Sequence, residues 1–276
     1  MEAVGRRIEQ ESASDPVARD LVMLGWAWYY RPWSEPSLKQ AHQYFDRAVT
    51  IDPASVEARI GIGTVLAAKL GNGWSGSVQQ DEASAEQLLL EALEHDPNNA
   101  MAHFALGLVH RSRNRLAEAR IEFETAITLD RNHARALLQL GQTLRYLGQP
   151  EAAIPYFQKV IRLNPRDRNI CQMYQGLGAC HLLLGDADEA IDLLRKARVE
   201  NPRVPYLHLF LAGALGLRGD LEEARAALAE ELKLNPEVNS LARFRAYRPF
   251  LINPQHWALL EKTMNIGLRR AGFPDK

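Results

Sequence analysis

The sequence predicts an all-α fold: a right-handed superhelical solenoid of about six helix-turn-helix repeats, finished by a C-terminal capping helix. Three rows of residues predict it. Pro53, Pro97, Pro165, Pro202 and Pro236 each follow an apolar helical stretch, and Arg131 fills the remaining slot. The steps along this row are 44, 34, 34, 37 and 34 residues. Ala41, Ala85, Ala119, Ala153, Ala190 and Ala224 repeat the same steps. Gly25, Gly63, Gly107, Gly141, Gly178 and Ala212 close with 34, 37 and 34. Agreement on an irregular spacing marks internal duplication, and a period near 34 marks stacked helix pairs.

The elements follow in order. Residues 1–17 are an N-terminal extension, and Asp15-Pro16 begins the first helix with a capping side chain and a proline in the first turn. The repeats run approximately over 18–55, 56–99, 100–133, 134–170, 171–204 and 205–238. Repeat one carries about four extra residues around Pro32–Pro36, and repeat two about ten around Gly71–Gly76, which read as a flexible insertion. Leu24, Ile62, Leu106, Leu140, Leu177 and Leu211 are expected to face the shared core. Phe45, Phe123 and Phe157 fill the gap between paired helices, where the glycine and alanine rows permit close approach. Gly148, Gly185 and Gly219 end first helices, and proline stops the second ones. One repeat cannot bury its own apolar face, so stacking is obligatory. Repeat six departs from the pattern, with Ala212 for glycine and Glu231 where alanine is usual. Residues 239–276 form the cap: a short helix over Val238–Ala246, then a last helix from Asn253-Pro254 to about Ala271, with Trp257, Leu260, Met264 and Leu268 on one face.

The stretches Ala102–Gly107 with Ala119, Phe123 and Ala126, and Leu137–Gly141 with Ala153, Phe157 and Pro165, resemble the tetratricopeptide-repeat family, over residues 18–236. The resemblance implies a non-enzymatic module for protein–protein interaction, with first helices lining a concave groove. By register the groove residues are Trp26, Tyr29, Met101, Phe104, Leu108, Arg135, Leu138, Gln139, Gln142, Arg145, Tyr206 and Phe210. They are largely aromatic and aliphatic with a polar patch in repeat four, which suits an apolar peptide or amphipathic helix. The lysine and asparagine clamp by which some members grip a terminal carboxylate is missing, since its slots hold Val22, Trp26, Gly61, Met101 and Ala105. The groove is either open to a partner or covered by the chain's own ends.

A narrower similarity is to the repeat regions that follow the catalytic domain in bacterial class III adenylate and guanylate cyclases. It is carried by Arg19–Leu21 with Gly25, by Gly73–Ser75 with Asp81–Ala83, and by the tail from Asn253-Pro254 to Pro274. It implies a regulatory or assembly role in bacterial signalling. An alternative is a sensor holding a small ligand or short peptide against the aromatic groove.

Composition excludes several classes. With 33 basic and 34 acidic residues the net charge is −1, which lacks the basic excess of a nucleic-acid binder and gives no pull toward anionic membranes. Leu21–Tyr30 is too short to span a bilayer, and Met1–Asp15 lacks the apolar centre of a signal peptide, so a cytoplasmic chain is expected. Cys171 and Cys180 are nine residues apart on one helix, too far along its axis for a disulfide. No catalytic constellation, cofactor motif or metal signature is present: Gly71–Ser77 lacks the lysine of a phosphate loop. His103 and His110, and His181 and His208 in matching slots, read as packed side chains rather than ligands. The basic tail residues Arg243, Arg245, Arg248, Arg269 and Arg270 read as a solvated face. The expected partner is a protein or peptide segment, and a second copy of the chain is an open alternative.

Overall fold

The computed structural model describes residues 15–31, 34–204, 206–247 and 253–276, and among these every regular element is an α-helix. The chain divides into two compact units after Arg131. The first unit contains three helix pairs: α1 (Pro16–Tyr29) with α2 (Glu35–Ile51), α3 (Val56–Asn72) with α4 (Val78–His95), and α5 (Ala100–Ser112) with α6 (Leu116–Leu129). The second contains α7 (Ala134–Tyr146) with α8 (Pro150–Leu163), α9 (Ile170–Leu183) with α10 (Ala187–Glu200), and α11 (Leu207–Arg218) with α12 (Leu221–Leu234). Three short helices follow: α13 (Leu241–Tyr247), α14 (Pro254–Lys262) and α15 (Met264–Arg270). Within each unit the partners of a pair pack on each other and on the next pair.

Side-chain caps explain where helices begin. Asp15, Ser34, Ser55 and Asn99 accept the N–H of Val17, Ser37, Ala58 and Ala102, satisfying donors that the helix leaves unpaired. His133 serves α7 in the same way, its Nδ1 accepting from the Ala136 N–H at 3.1 Å. The turns within pairs need one left-handed residue. Gly148, Gly185 and Gly219 supply it, and Asn114 takes the same slot at φ 57°. Asparagine tolerates this conformation best after glycine, because its short polar side chain can bond locally.

Packing within the pairs is set by one large side chain facing glycines. Phe45 is fully buried, and a Cβ on Gly25 or Gly61 would stand 2.6 or 2.4 Å from its ring. Phe157 is held likewise between Gly141 and Gly176. Leu89 and Leu194 take this place in repeats two and five, against Gly63 and Gly178.

Several expectations change. Leu24 is 45% exposed rather than buried, because no helix among the described residues covers its side of α1. The ten extra residues of repeat two lengthen α3 and α4 instead of forming a loop, and only residues 73–77 lie between them. In repeat one, Glu35 and Pro36 already belong to α2, while Pro32 and Trp33 lie outside the described residues. The anticipated break near Arg248-Pro249 also lies outside them. The last helix is two: α14 and α15 meet at Thr263, where φ −132° and ψ −90° end the first. Both cysteines are free and buried, and burial pushes the Cys180 thiol up to about 12.

Glu231 has a structural use. α11 starts from Tyr206 in the left-handed region with no side-chain cap of its own. The fully buried Glu231 carboxylate, on α12, accepts the Leu209 N–H at 3.2 Å and the Asn235 amide at 2.6 Å. It thus closes the first turn of α11 from a neighbouring helix. Burial pushes its carboxyl above the ordinary range, with the hydrogen bonds from Asn235 and Leu209 opposing the shift.

Candidate functional site

The sequence places the binding surface on the first helix of each pair, and each unit carries its own part of it. In the first unit the surface is mostly internal. Tyr29 and Phe104 are fully buried and Leu108 is 4% exposed, so these three belong to the core and cannot touch a partner. The reason is local: the rings that the register turns toward the groove are drawn under their neighbours. Phe104 packs on Phe123 with centroids 6.1 Å apart. Tyr29 meets the Trp26 ring edge-on at 5.6 Å, and Trp26 meets Phe45 at 5.0 Å. Trp26 and Met101 remain partly exposed. One histidine of this unit, His103, is held by protein groups at both ring nitrogens. His103 bonds the Glu122 carboxylate at 2.6 Å and the Pro97 carbonyl at 3.0 Å. Its counterpart His208 bonds the Pro202 carbonyl at 2.8 Å, in the same register. Among the described residues no group of His, Cys, Asp and Glu could hold a metal ion.

In the second unit Arg135 and Gln142 are partly exposed, whereas Leu138, Gln139, Arg145, Tyr206 and Phe210 are buried. Around Arg145, Tyr206 and Phe210 the C-terminal helices contribute the cover. Gly213 and Gly216 of α11 stand 71 residues after Gln142 and Arg145, two repeats later in the same register, so they are groove positions. α15 lies directly on them. A Cβ on Gly267 would stand 1.9 Å from the Gly213 carbonyl oxygen, and one on Gly213 would meet the Met264 side chain at 2.4 Å. Two helix backbones touch here, which only glycine permits. α14 touches α9, and its first turn reaches the turn after α7, where Gly148 packs on the backbone of Gln255 and His256. Tyr206 is covered from α13, where Phe244 lies 5.7 Å from its ring. The Leu241 and Ala242 N–H groups bond the Pro274 and Asp275 carbonyls at 2.9 and 3.0 Å, tying the tail back to the start of α13.

Arg145 is the most unusual member of this surface. It is 6% exposed, and its Nε and Nη1 are buried with no hydrogen-bond partner. Its guanidinium lies 4.3 Å from the Tyr146 ring centroid and 5.7 Å from that of Phe210, so two aromatic faces hold the cation where a carboxylate would be ordinary. Over Tyr146 lies His256, fully buried, its ring edge-on at 5.4 Å. Neither His256 nitrogen makes a well-formed hydrogen bond. Burial drives its pKa down to about 3, the Arg145 charge adds to the fall, and the nearby Arg145 carbonyl opposes it. The apolar face of the last helices therefore begins on His256, whereas Trp257 stands at its border under Arg245, 4.6 Å from the guanidinium. Sequence reasoning missed His256, Gly213, Gly216 and Gly267. The pair Gly213 and Gly216, glycines at groove positions that carry a side chain in each of the other repeats, is the signal that marks them.

A pH dependence follows. The neutral His256 ring is favoured in the folded chain, so its contribution is complete above the ordinary value of 6.5 and is lost as pH falls toward about 3. Between pH 7 and pH 5 this amounts to about 2 kcal/mol. Urea unfolding at the two pH values should show wild type losing that much more stability than His256→Leu. Equal losses would remove His256 as the cause.

Three tetratricopeptide-repeat profiles match the chain, at residues 78–136, 132–198 and 181–246. BBSome complex member BBS4 of Bos taurus is 26% identical over 167 residues, which cover 59% of this chain and 31% of that protein. The chain thus spans about a third of the length of the first curated relatives it matches. Among solved structures, the Cut9–Hcn1 hetero-tetramer of the APC/C gives a TM-score of 0.64 at 19% identity, over 85% of this chain and 45% of that one. YrrB, a tetratricopeptide-repeat protein described with an unusual peptide-binding site, gives 0.54 at 21%, over 74% and 97%. At these identities the likeness is one of fold.

Proposed function

Since this chain is a tetratricopeptide-repeat protein, we propose that it is an interaction module whose first-helix surface in the second unit receives an apolar helix from another protein. Proteins built on such repeats generally mediate protein–protein contacts. One observation carries the finer reading: the surface already holds a helix. α15 is seated on Gly213 and Gly216 with Met264 and Leu268 fully buried, which is helix-in-groove recognition made within one chain. Trp26 and Met101 offer a smaller apolar contact in the first unit. A place in bacterial signalling belongs to the same proposal. Its support is the likeness to cyclase-attached repeat regions, whose tail stretch is the segment that folds onto α11.

The test uses a synthetic peptide of residues 253–276. Full-length chain carrying Gly267→Val, in which α15 cannot seat, should bind this peptide in calorimetry. Wild type, with its surface filled, should not. Adding Gly213→Leu to the opened chain should abolish binding. If the opened chain ignores the peptide, or wild type binds it equally well, the surface is not a helix receptor.

A further inference from the structure

We propose that Arg145 is the anchor for a carboxylate on the incoming partner helix, which replaces the chain's own C-terminal helices on α7, α9 and α11. The inference rests on the helix-receptor reading and names the partner's chemistry: an apolar helix with an aspartate or glutamate in its first turn.

The argument begins with what Arg145 lacks. A guanidinium offers five donors in a planar fork that matches a carboxylate. At Arg145 two of its three nitrogens are sealed from water and unbonded. No carboxylate pairs with it among the described residues, although the protein pairs other arginines readily: Arg113 with Glu82 and Glu86, Arg218 with Asp188 and Asp220, Arg269 with Glu261 and Asp275. A buried cation without a counter-ion is costly, and contact with Tyr146 and Phe210 compensates only in part.

The second observation is the side chain that shares the Tyr146 ring with Arg145. The chain presents His256, a side chain that when neutral cannot balance the charge, makes no well-formed hydrogen bond, and becomes a like charge when protonated. His256 is the third residue of a helix capped by Asn253, which accepts the Gln255 and His256 N–H at 3.0 and 3.2 Å. Glutamate is the favoured residue at that place, because it complements both the helix N-terminus and the cap. A partner helix with glutamate there gains on both counts, and its carboxylate also meets Arg145. The resident helices therefore act as a weak occupant of their own site: well fitted along Gly213 and Gly216, mismatched at the charged end.

The experiment compares two peptides of residues 253–276, native and His256→Glu, on the full-length Gly267→Val chain with and without Arg145→Met. The expected result is binding of both, with the glutamate peptide at least about tenfold tighter, and most of that preference lost with Arg145→Met. Glutamate favours the helix N-terminus by itself, so dependence on Arg145 decides the matter. Equal affinities, or a preference that survives Arg145→Met, overturn the anchor and leave the helix receptor standing. Absence of binding by either peptide removes both. Should Gly267→Val fail to fold, the same question is put within the intact chain. His256→Glu should raise the urea midpoint when Arg145 is present and lower it beside Arg145→Met. The same sign on both backgrounds overturns the proposal.

Discussion

Gly267→Val is expected to detach α14 and α15 from the second unit while the helix pairs stay folded. The basis is steric and close to absolute. A Cβ at residue 267 would stand 1.9 Å from the Gly213 carbonyl oxygen and 2.6 Å from the Leu217 nitrogen. Both are backbone atoms of α11, which no rotamer change can move. Valine adds branched atoms to that clash, and its better helix propensity than glycine does nothing to relieve it. The helices must leave α11, and Leu260, Met264, Leu268 and Phe273, each at most 2% exposed, lose their cover. Each such side chain contributes about 1.5–3 kcal/mol through burial. Hydrogen exchange should show residues 254–275 losing protection in the variant while α7–α10 keep theirs. Protection retained along α15 would mean that the contact with α11 can be remade elsewhere.

Phe157→Ala should destabilise the second unit by about 3–5 kcal/mol. The ring is fully buried and fills the space that Gly141 and Gly176 leave on two successive first helices. Removing it opens a void bounded by glycines, which have no side chains to relax into the space. Collapse would require backbone movement, so the cost belongs at the upper end of the range. Denaturant unfolding of wild type and variant measures it, and a loss under about 1 kcal/mol would show that the helices close on the gap. Gly176→Ala presses on the same ring from the other side, at 2.4 Å.

The helix pairs were legible because their cause is periodic. One close approach per repeat forces glycine or alanine at fixed intervals, and spacing alone exposes it. Asn114 escaped because it reaches the left-handed region through local bonding rather than through lacking a Cβ. Glu231 was visible as a departure from the alanine row, but its purpose was not: the donor it satisfies, the Leu209 N–H, lies in another helix. Burial on the proposed binding surface was only partly legible. Register placed Arg145 and Phe210 on first helices, where the structure has them buried. It could not tell that Tyr29 and Phe104 turn inward, since an aromatic at such a position serves core and surface equally well. Nor did it show which end of the chain covers the second unit, because that depends on the break at Thr263, where no proline or glycine marks the bend.

The backbone bonds from Leu241 and Ala242 to Pro274 and Asp275 bear on how any competitor performs. They hold the far end of α15 beside the start of α13, so the resident helices are fastened at both ends of their run. A ligand tethered in this way returns to its site at an effective concentration on the order of millimolar, whatever the concentration of the chain. A competitor must outbid that standing supply, so its apparent affinity falls by the factor by which the closed form outweighs the open one. Under the helix-receptor proposal, weak apolar helices are disfavoured without a single repulsive contact, and the binding curve keeps its hyperbolic shape but moves to higher concentrations of partner.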